Sequence, residues 1–412
     1  MSKIVIIGGG ASGLFLGCNV KKDDEVIIIE KNDRPGRKLA ITGKGRCNIT
    51  NMTDMSEFIK NVPGNGKFLY SAFYSLTNND VVDFFESHGV KTKVERGERV
   101  FPVSDSAKDV VEALYRCALK NGVKFRFNTA VNNVLTVDGK VTGVKLKGGE
   151  VISADKVVIA TGGLSYPKTG STGDGYKMAR ELGHTVITPK PSLVGLDTDT
   201  EYAIGMQGLS LKNVGFKLKN DSGKIIYEDF GEMLFTHFGI SGPVVLSGSR
   251  VVHKYMDEKL NVSEVTASID LKPALSYEKL DLRVQRDFSK YINKQLKNAL
   301  FDLLPEKMIN AVIKASNIDE NKAVNSVTRE ERMRLIETLK NFTLKVTGIR
   351  PIDEAIITSG GIKISEIDPK TMESKLVDGL YFCGEVIDVD AFTGGFNLQI
   401  AFSTAYLVAE AI

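Results

Sequence analysis

Lys3-Ile4-Val5-Ile6-Ile7-Gly8-Gly9-Gly10-Ala11-Ser12-Gly13 is the stretch that decides the fold of this 412-residue chain. Five residues that favour a strand stop at a run of glycines, and residues 12–20 then read as a helix. Glu25–Ile29 reads as a second buried strand, ending at Glu30. This order makes a βαβ unit, and the glycines fit G-x-G-x-x-G. Gly8 permits the tight turn, Gly10 lets the backbone approach a pyrophosphate, and Gly13 lets helix and strand pack closely. Ala11 and Ser12 stand between them at the helix start, which attracts an anion. Glu30, at the end of the second strand, is placed to accept ribose hydroxyls, with Lys31 beside it.

Outward from this unit, residues 31–65 form an irregular stretch rich in Gly, Asn and Lys, of the length expected for a functional loop. Helices are expected over 67–76 and 80–88, the second capped by Asn79 and stopped by Gly89. Ser106 with Asp109 resembles a capping box opening a helix to Lys120. Strands are expected at 123–127, Val131–Val137 and 141–146, the last two joined by the hairpin dipeptide Asp138-Gly139. A buried strand over 156–160 ends in Thr161-Gly162-Gly163, and a helix follows over 173–182.

Pro189 and Pro191 suggest a boundary. Residues 193–272 have a β-like pattern, with candidate strands at 214–218, 225–227 and 265–269. Residues 277–340 are helical and charged. Strands are expected again at 342–347, 355–358 and 380–383, and Phe396–Ala411 reads as a long apolar helix. The fold class is α/β. A Rossmann-like domain is built from 1–190 and 359–412, with a β-rich insertion (191–274 and 341–358) and a helical one (275–340).

Composition narrows the functional classes. With 54 basic and 51 acidic residues, the net charge of +3 gives no global attraction to nucleic acid or anionic membranes. The four cysteines form no CxxC pair, which excludes a zinc-type spacing, so no metal is expected and the thiols read as reduced. With no signal peptide and no apolar run of membrane length, a cytoplasmic location is expected.

The glycine fingerprint alone does not choose between FAD and NAD. A distant segment does. Gly384, Glu385 and Asp388 follow a strand, and Gly394, Gly395, Asn397 and Leu398 open the last helix. A strand, an acidic turn and a helix start suit a ribityl chain and a flavin ring, whose N1–C2=O edge gains negative charge on reduction. Here the chain resembles the BaiN-like family of bacterial flavoproteins, which includes enzymes described as aminoacetone oxidases. The matching segments are 8–13, 36–39 (GRKL), 43–51 (GKGRCNITN), 160–163, 231–243 (GEMLFTHFGISGP), 371–375 (TMESK) and 379–399 (GLYFCGEVIDVDAFTGGFNLQ). The resemblance implies non-covalent FAD in a two-dinucleotide-binding-type domain. It also implies cofactor contacts at Arg37, Lys38, Gly45, Arg46, Cys47, Asn48, Val131, Thr161, Gly162 and Gly163.

Arg34, Arg37, Lys38, Lys44 and Arg46 crowd one loop, where they would neutralise a pyrophosphate or an anionic substrate. A thiol beside Arg46 has two readings, an activated thiol of lowered pKa near the flavin and a small buried residue, and the second is preferred for Cys47. His237, inside FTHFG, is the candidate acid–base residue, because its intrinsic pKa suits proton transfer near neutrality. A second G-x-G-x-x-G is missing, so NAD(P)H would dock only transiently as electron donor.

Three functions remain open. The first is an FAD oxidoreductase moving hydride between flavin and a small or steroid-sized substrate, for instance to reduce a C=C bond conjugated to a carbonyl. The second is an amino-ketone oxidase that releases peroxide. The third is a flavin-binding module acting on RNA or a protein through the helical region, which the charge balance disfavours.

Overall fold

The computed structural model describes residues 1–253, 255–256 and 264–412, apart from the side chains of residues 200, 201 and 204. The chain divides into two compact units, Met1–Ser192 with Ile352–Ile412, and Leu193–Pro351. Residues 352–358, grouped with the insertion on sequence, belong to the first unit. The strand Ile357–Ile362 pairs there with Val186–Ser192, antiparallel. Pro189 and Pro191 lie in this two-stranded sheet, just before the division at Ser192/Leu193 that they suggest on sequence. A strand with a free edge tolerates the missing N–H.

Five parallel strands form the frame of the first unit. Their spatial order is Leu380–Phe382, Lys156–Ile159, Lys3–Ile7, Glu25–Ile29 and Lys124–Arg126. Ile4, Val5, Ile6 and Ile28 are fully buried. Their apolar runs do not alternate, as in sheets covered on both faces. The helix Ala11–Asn19 packs against Phe396–Ala411, with the Phe15 and Phe402 rings 4.9 Å apart. Lys21 Nζ donates to the Ile412 carbonyl at 2.7 Å. The two ends of the chain therefore meet. The C-terminal helix touches the first helix directly, whereas Lys156–Ile159 separates the C-terminal strand from the first strand.

Local signals hold with small corrections. Helix Asn78–Ser87 is capped by Thr77 and not by Asn79: Asp80 Oδ2 accepts the Thr77 N–H at 2.8 Å, and Thr77 Oγ1 accepts the Asp80 N–H at 3.3 Å. Ser106 gives helix Ala107–Lys120 no backbone cap, since its hydroxyl turns to Asp109 Oδ1 at 3.1 Å. The Asp138-Gly139 hairpin forms, with both residues at positive φ.

The second unit contains a closed barrel of Leu196–Thr198, Gly239–Ser241, Ile225–Phe235, Ser210–Lys219, Val265–Asp270 and Phe342–Ile349. Phe216, Phe235, Ile240, Ile269 and Phe342 fill its core and are fully buried. A helix at Pro243–Val252, absent from the sequence reading, starts at Gly242 with proline in the first turn. The region read as helical contains Tyr277–Lys290, Leu296–Ala299, Glu306–Ala315 and Arg329–Lys340.

Candidate functional site: a dinucleotide cradle

The first strand ends at Gly8, whose φ of +108° and contact with the Ala160 carbonyl leave no place for a Cβ. A Cβ on Gly13 would collide with the Gly8 carbonyl oxygen, so the helix can sit this close only with glycine. Gly10, by contrast, faces open space. It is the N-cap of Ala11–Asn19, with no side-chain cap and no acidic residue in the first turn. The positive end of this helix is thus left for an anion. Glu30 is buried and accepts the Gly9 N–H at 2.8 Å, the Asn32 N–H at 2.9 Å and the Asn32 side-chain amide at 2.6 Å. A carboxylate has about four acceptor positions, so Glu30 retains capacity for a hydroxyl while tying the second strand to the glycine turn.

The cations named on sequence are largely engaged with this unit's own groups. Lys31 pairs with Asp174 at 2.8 Å and reaches Thr172. Arg37 donates to Asn32 Oδ1 at 2.9 Å. Lys38 donates to Ser165 and Glu385, both at 2.6 Å. Glu385 also accepts the Thr358 N–H and the Ser165 hydroxyl, each at 2.9 Å. Arg46 turns to Glu95 and Asp105 and lies 4.2 Å over the Phe101 ring. Of the two readings of Cys47, the small buried residue holds: the side chain is fully buried, and burial pushes its pKa up to about 12. Arg34 and Lys44 are exposed.

Asn48 Oδ1 and Thr161 Oγ1 are buried without a hydrogen-bond partner. Such orphans are rare and call for a missing donor. Thr161 lies against Gly8, and Asn48 stands two residues before Thr50, which abuts Gly395. Gly395, at φ +104°, is the uncapped start of Phe396–Ala411, and a Cβ there would strike the Thr50 carbonyl. Its glycine is thus required by the backbone it touches. A polyhydroxylated dinucleotide fits these features: two helix starts without caps, an open glycine and two buried acceptors lacking donors.

Other expected contacts have protein partners. Asp388 accepts from the Asn65 amide through its carbonyl at 2.6 Å and its carboxylate at 3.1 Å. Asn397 clips the loop before it, pairing with the Ala391 N–H and carbonyl, both at 2.9 Å. Val131 is a core residue opposite Leu146, and Leu398 packs on the same core. Gly45 faces open space, Gly162 has positive φ, Gly163 abuts Thr358 and Gly384 abuts Ser12. Sequence reasoning missed Gln399. It is fully buried, accepts from Thr50 Oγ1 at 2.6 Å and donates to the Leu76 carbonyl at 3.0 Å. Ser165 and Thr358 were missed too. Their partners are remote in sequence, and no local signal marks them.

Within the second unit, His237 is exposed on the turn between Ile225–Phe235 and Gly239–Ser241. Its ring meets Phe238 at 5.1 Å, over which the Arg350 guanidinium lies at 4.7 Å. Thr236 Oγ1, Thr198 Oγ1 and Asp199 Oδ1 are buried without partners around the same turn. The Phe238 carbonyl accepts the Thr198 N–H at 3.2 Å. His184 is structural: it is buried, with Nε2 2.9 Å from Ser374 Oγ. Among the described residues there is no metal-binding group and no helix long and apolar enough to cross a membrane.

The family described as HI0933-like protein Rossmann domain matches residues 2–411. The chain belongs to this HI0933-like family. It is 31% identical to the 3-dehydro-bile acid delta(4,6)-reductase of Clostridium scindens, covering all of this chain and 99% of the relative. This agrees with the BaiN-like resemblance. It is 32% identical to the ribosomal RNA dihydrouridine synthase of Escherichia coli, over 98% of this chain and 96% of that protein. The crystal structure of 3-ketosteroid delta1-dehydrogenase from Sterolibacterium denitrificans, in complex with 1,4-androstadiene-3,17-dione, aligns with a TM-score of 0.55. It is 12% identical and covers all of this chain and 99% of the other, a likeness of fold alone.

Proposed function

We propose that this HI0933-like protein is an FAD-dependent reductase that saturates a carbon–carbon double bond conjugated to a carbonyl. The observation that carries this reading is a chemistry shared by two full-length relatives of different name. A 3-dehydro-bile acid with Δ4,6 unsaturation has its double bonds in conjugation with the 3-carbonyl, and dihydrouridine is uridine saturated at a bond conjugated to its 4-carbonyl. Bound FAD supplies the hydride for such a step. The 8–13 turn and the helix start behind it would hold the diphosphate, and Glu30 a ribose. Asn48 and Thr161 would accept from the cofactor's donors, and the start of Phe396–Ala411 would face the flavin. Saturation also needs a proton on the carbon next to the carbonyl, and His237 is the donor in this reading. NAD(P)H docking transiently would be the source of electrons.

A small or steroid-sized substrate is favoured over RNA by the charge distribution of the helical region. Lys290 pairs with Asp302, Arg283 with Asp287, Lys322 with Glu331, Arg332 with Asp281 and Lys340 with Asp270. These pairs neutralise part of the region's basic charge, and with thirteen basic against ten acidic residues over 277–340 the balance falls short of the strongly basic footprint of a nucleic-acid surface. The dihydrouridine synthases nevertheless favour a second reading, the same reduction on a uridine in ribosomal RNA. Reduced protein is mixed without oxygen with a 3-oxo-Δ4 steroid or with unmodified ribosomal RNA, and the products are weighed. A saturated ketone is expected. Dihydrouridine alone would install the RNA reading. Turnover only with oxygen, releasing peroxide from an amino ketone, would install the oxidase. His237→Ala is expected to slow turnover of the active substrate at least tenfold, and unchanged turnover removes His237 from the reaction.

A further inference from the structure

Cys18 and Cys117, remote in sequence, meet where two helices approach closely. Cys18 lies in the last turn of Ala11–Asn19 and Cys117 in that of Ala107–Lys120. A Cβ on Gly17 would sit 3.3 Å from that of Ala118. The Asn121 amide donates to the Val20 carbonyl at 2.9 Å, fastening the two helix ends. Cys18 Sγ lies 3.3 Å from the Leu114 carbonyl, one helical turn before Cys117, which brings the two thiols side by side, and Cys117 Sγ lies 3.3 Å from His88 Nε2. His88 Nδ1 is 2.7 Å from the Phe84 carbonyl, which can only accept. Nδ1 therefore carries the proton, and Nε2 presents a lone pair to the Cys117 thiol. The ring is stacked on Phe84 at 4.3 Å, which fixes its aim.

We infer that Cys117, Cys18 and His88 form a hydroperoxide-responsive dithiol, in which peroxide oxidises Cys117 and Cys18 closes a disulfide between the two helices. His88 takes the Cys117 proton. The thiolate attacks the peroxide, an S–O bond forms as the O–O bond breaks, and the leaving oxygen takes the proton held by His88. Cys18 then attacks the Cys117 sulfenic acid, the S–S bond forms as the S–O bond breaks, and hydroxide leaves with the Cys18 proton as water. Two thiols have lost two electrons and two protons, and the peroxide has become an alcohol, or water, plus water.

The surroundings assign the roles. The groups that face Cys117 are Cys18, His88 and Lys120. The neighbouring Cys18 thiol first, then His88 and Lys120, hold the Cys117 thiol well below the ordinary range, while burial pushes Cys18 up. Cys117 is the attacking thiol and Cys18 the resolving one. Cys47 and Cys383 are fully buried and serve as internal controls.

The folded, full-length protein is treated with one equivalent of hydrogen peroxide, alkylated and digested without reductant. A Cys18–Cys117 linked peptide is expected. Cys18→Ala is expected to leave a Cys117 sulfenic acid that dimedone traps. An ordinary thiol is only about 3% ionised at pH 7, so His88→Asn is expected to slow Cys117 alkylation there at least tenfold and to move its pH midpoint upward. The inference is overturned if both thiols remain alkylatable in the folded protein after peroxide, or if dimedone labels nothing in Cys18→Ala. An unchanged alkylation profile in His88→Asn overturns the role of His88.

Discussion

The two units differ in sheet topology, one open and parallel and the other a closed antiparallel barrel, and in what their glycines do. The parallel sheet of the first unit is made of short runs such as Ile4-Val5-Ile6-Ile7, and Lys3–Ile7, Lys156–Ile159 and Leu380–Phe382 lead into glycine turns at its carboxyl edge. The barrel of the second unit closes by pairing Leu196–Thr198 with Phe342–Ile349, across nearly the whole insertion. In the first unit glycine exposes helix ends, and in the second it seals a barrel corner. Cofactor binding should therefore depend on the first kind of glycine and barrel stability on the second.

Paired substitutions test that contrast most strongly. Gly13→Ala puts a Cβ onto the Gly8 carbonyl, and Gly239→Ala puts one onto the Leu196 carbonyl at φ +150°. Each is expected to cost about 4 kcal/mol or more, read as a drop in the denaturant midpoint. The soluble fraction of Gly13→Ala should be colourless, whereas that of Gly239→Ala should keep its flavin-to-protein ratio. Equal flavin loss in both would dissolve the distinction. Glu30→Gln comes next. It weakens the acceptor of the Gly9 N–H and of the ribose at about 1–3 kcal/mol, expected as a tenfold to hundredfold rise in the FAD Kd by titration of apoprotein.

His184→Gln gives a smaller effect confined to acid pH. Burial holds the His184 pKa below its ordinary value. The unfolded chain binds a proton below about pH 6.5 that the folded chain refuses. Stability contributed at neutral pH is thus lost as pH falls through 6.5. Urea midpoints of the variant should fall less steeply below that pH. The smallest effect belongs to Arg46→Ala, since exposed ion pairs contribute about 0–1 kcal/mol. Flavin content should not change. A colourless Arg46→Ala protein would restore that side chain to the cofactor site.

The same contrast explains what was legible in the sequence. Gly8, Gly10, Gly13 and Glu30 obey local rules of turn, helix start and strand end, and their positions follow from spacing alone. The helix Phe396–Ala411 was legible because it is apolar all round. Barrel closure was not, because the pairing of Val265–Asp270 with Phe342–Ile349 crosses four intervening helices and leaves no periodic trace. Arg46 misled because the direction of a side chain depends on Glu95 and Asp105, which adjacency in sequence does not reveal. The meeting of Cys18 and Cys117 was not legible for the same reason: spacing reports CxxC pairs, not helices that cross.

If the glycine turn and the C-terminal helix together hold FAD, the cofactor leaves the chain only when both unfold. Purified protein is denatured, and the released chromophore is identified by chromatography and quantified against the chain. One FAD per chain is expected, released without proteolysis. Recovery of no flavin, of FMN alone, or of flavin only as a covalent peptide would contradict it.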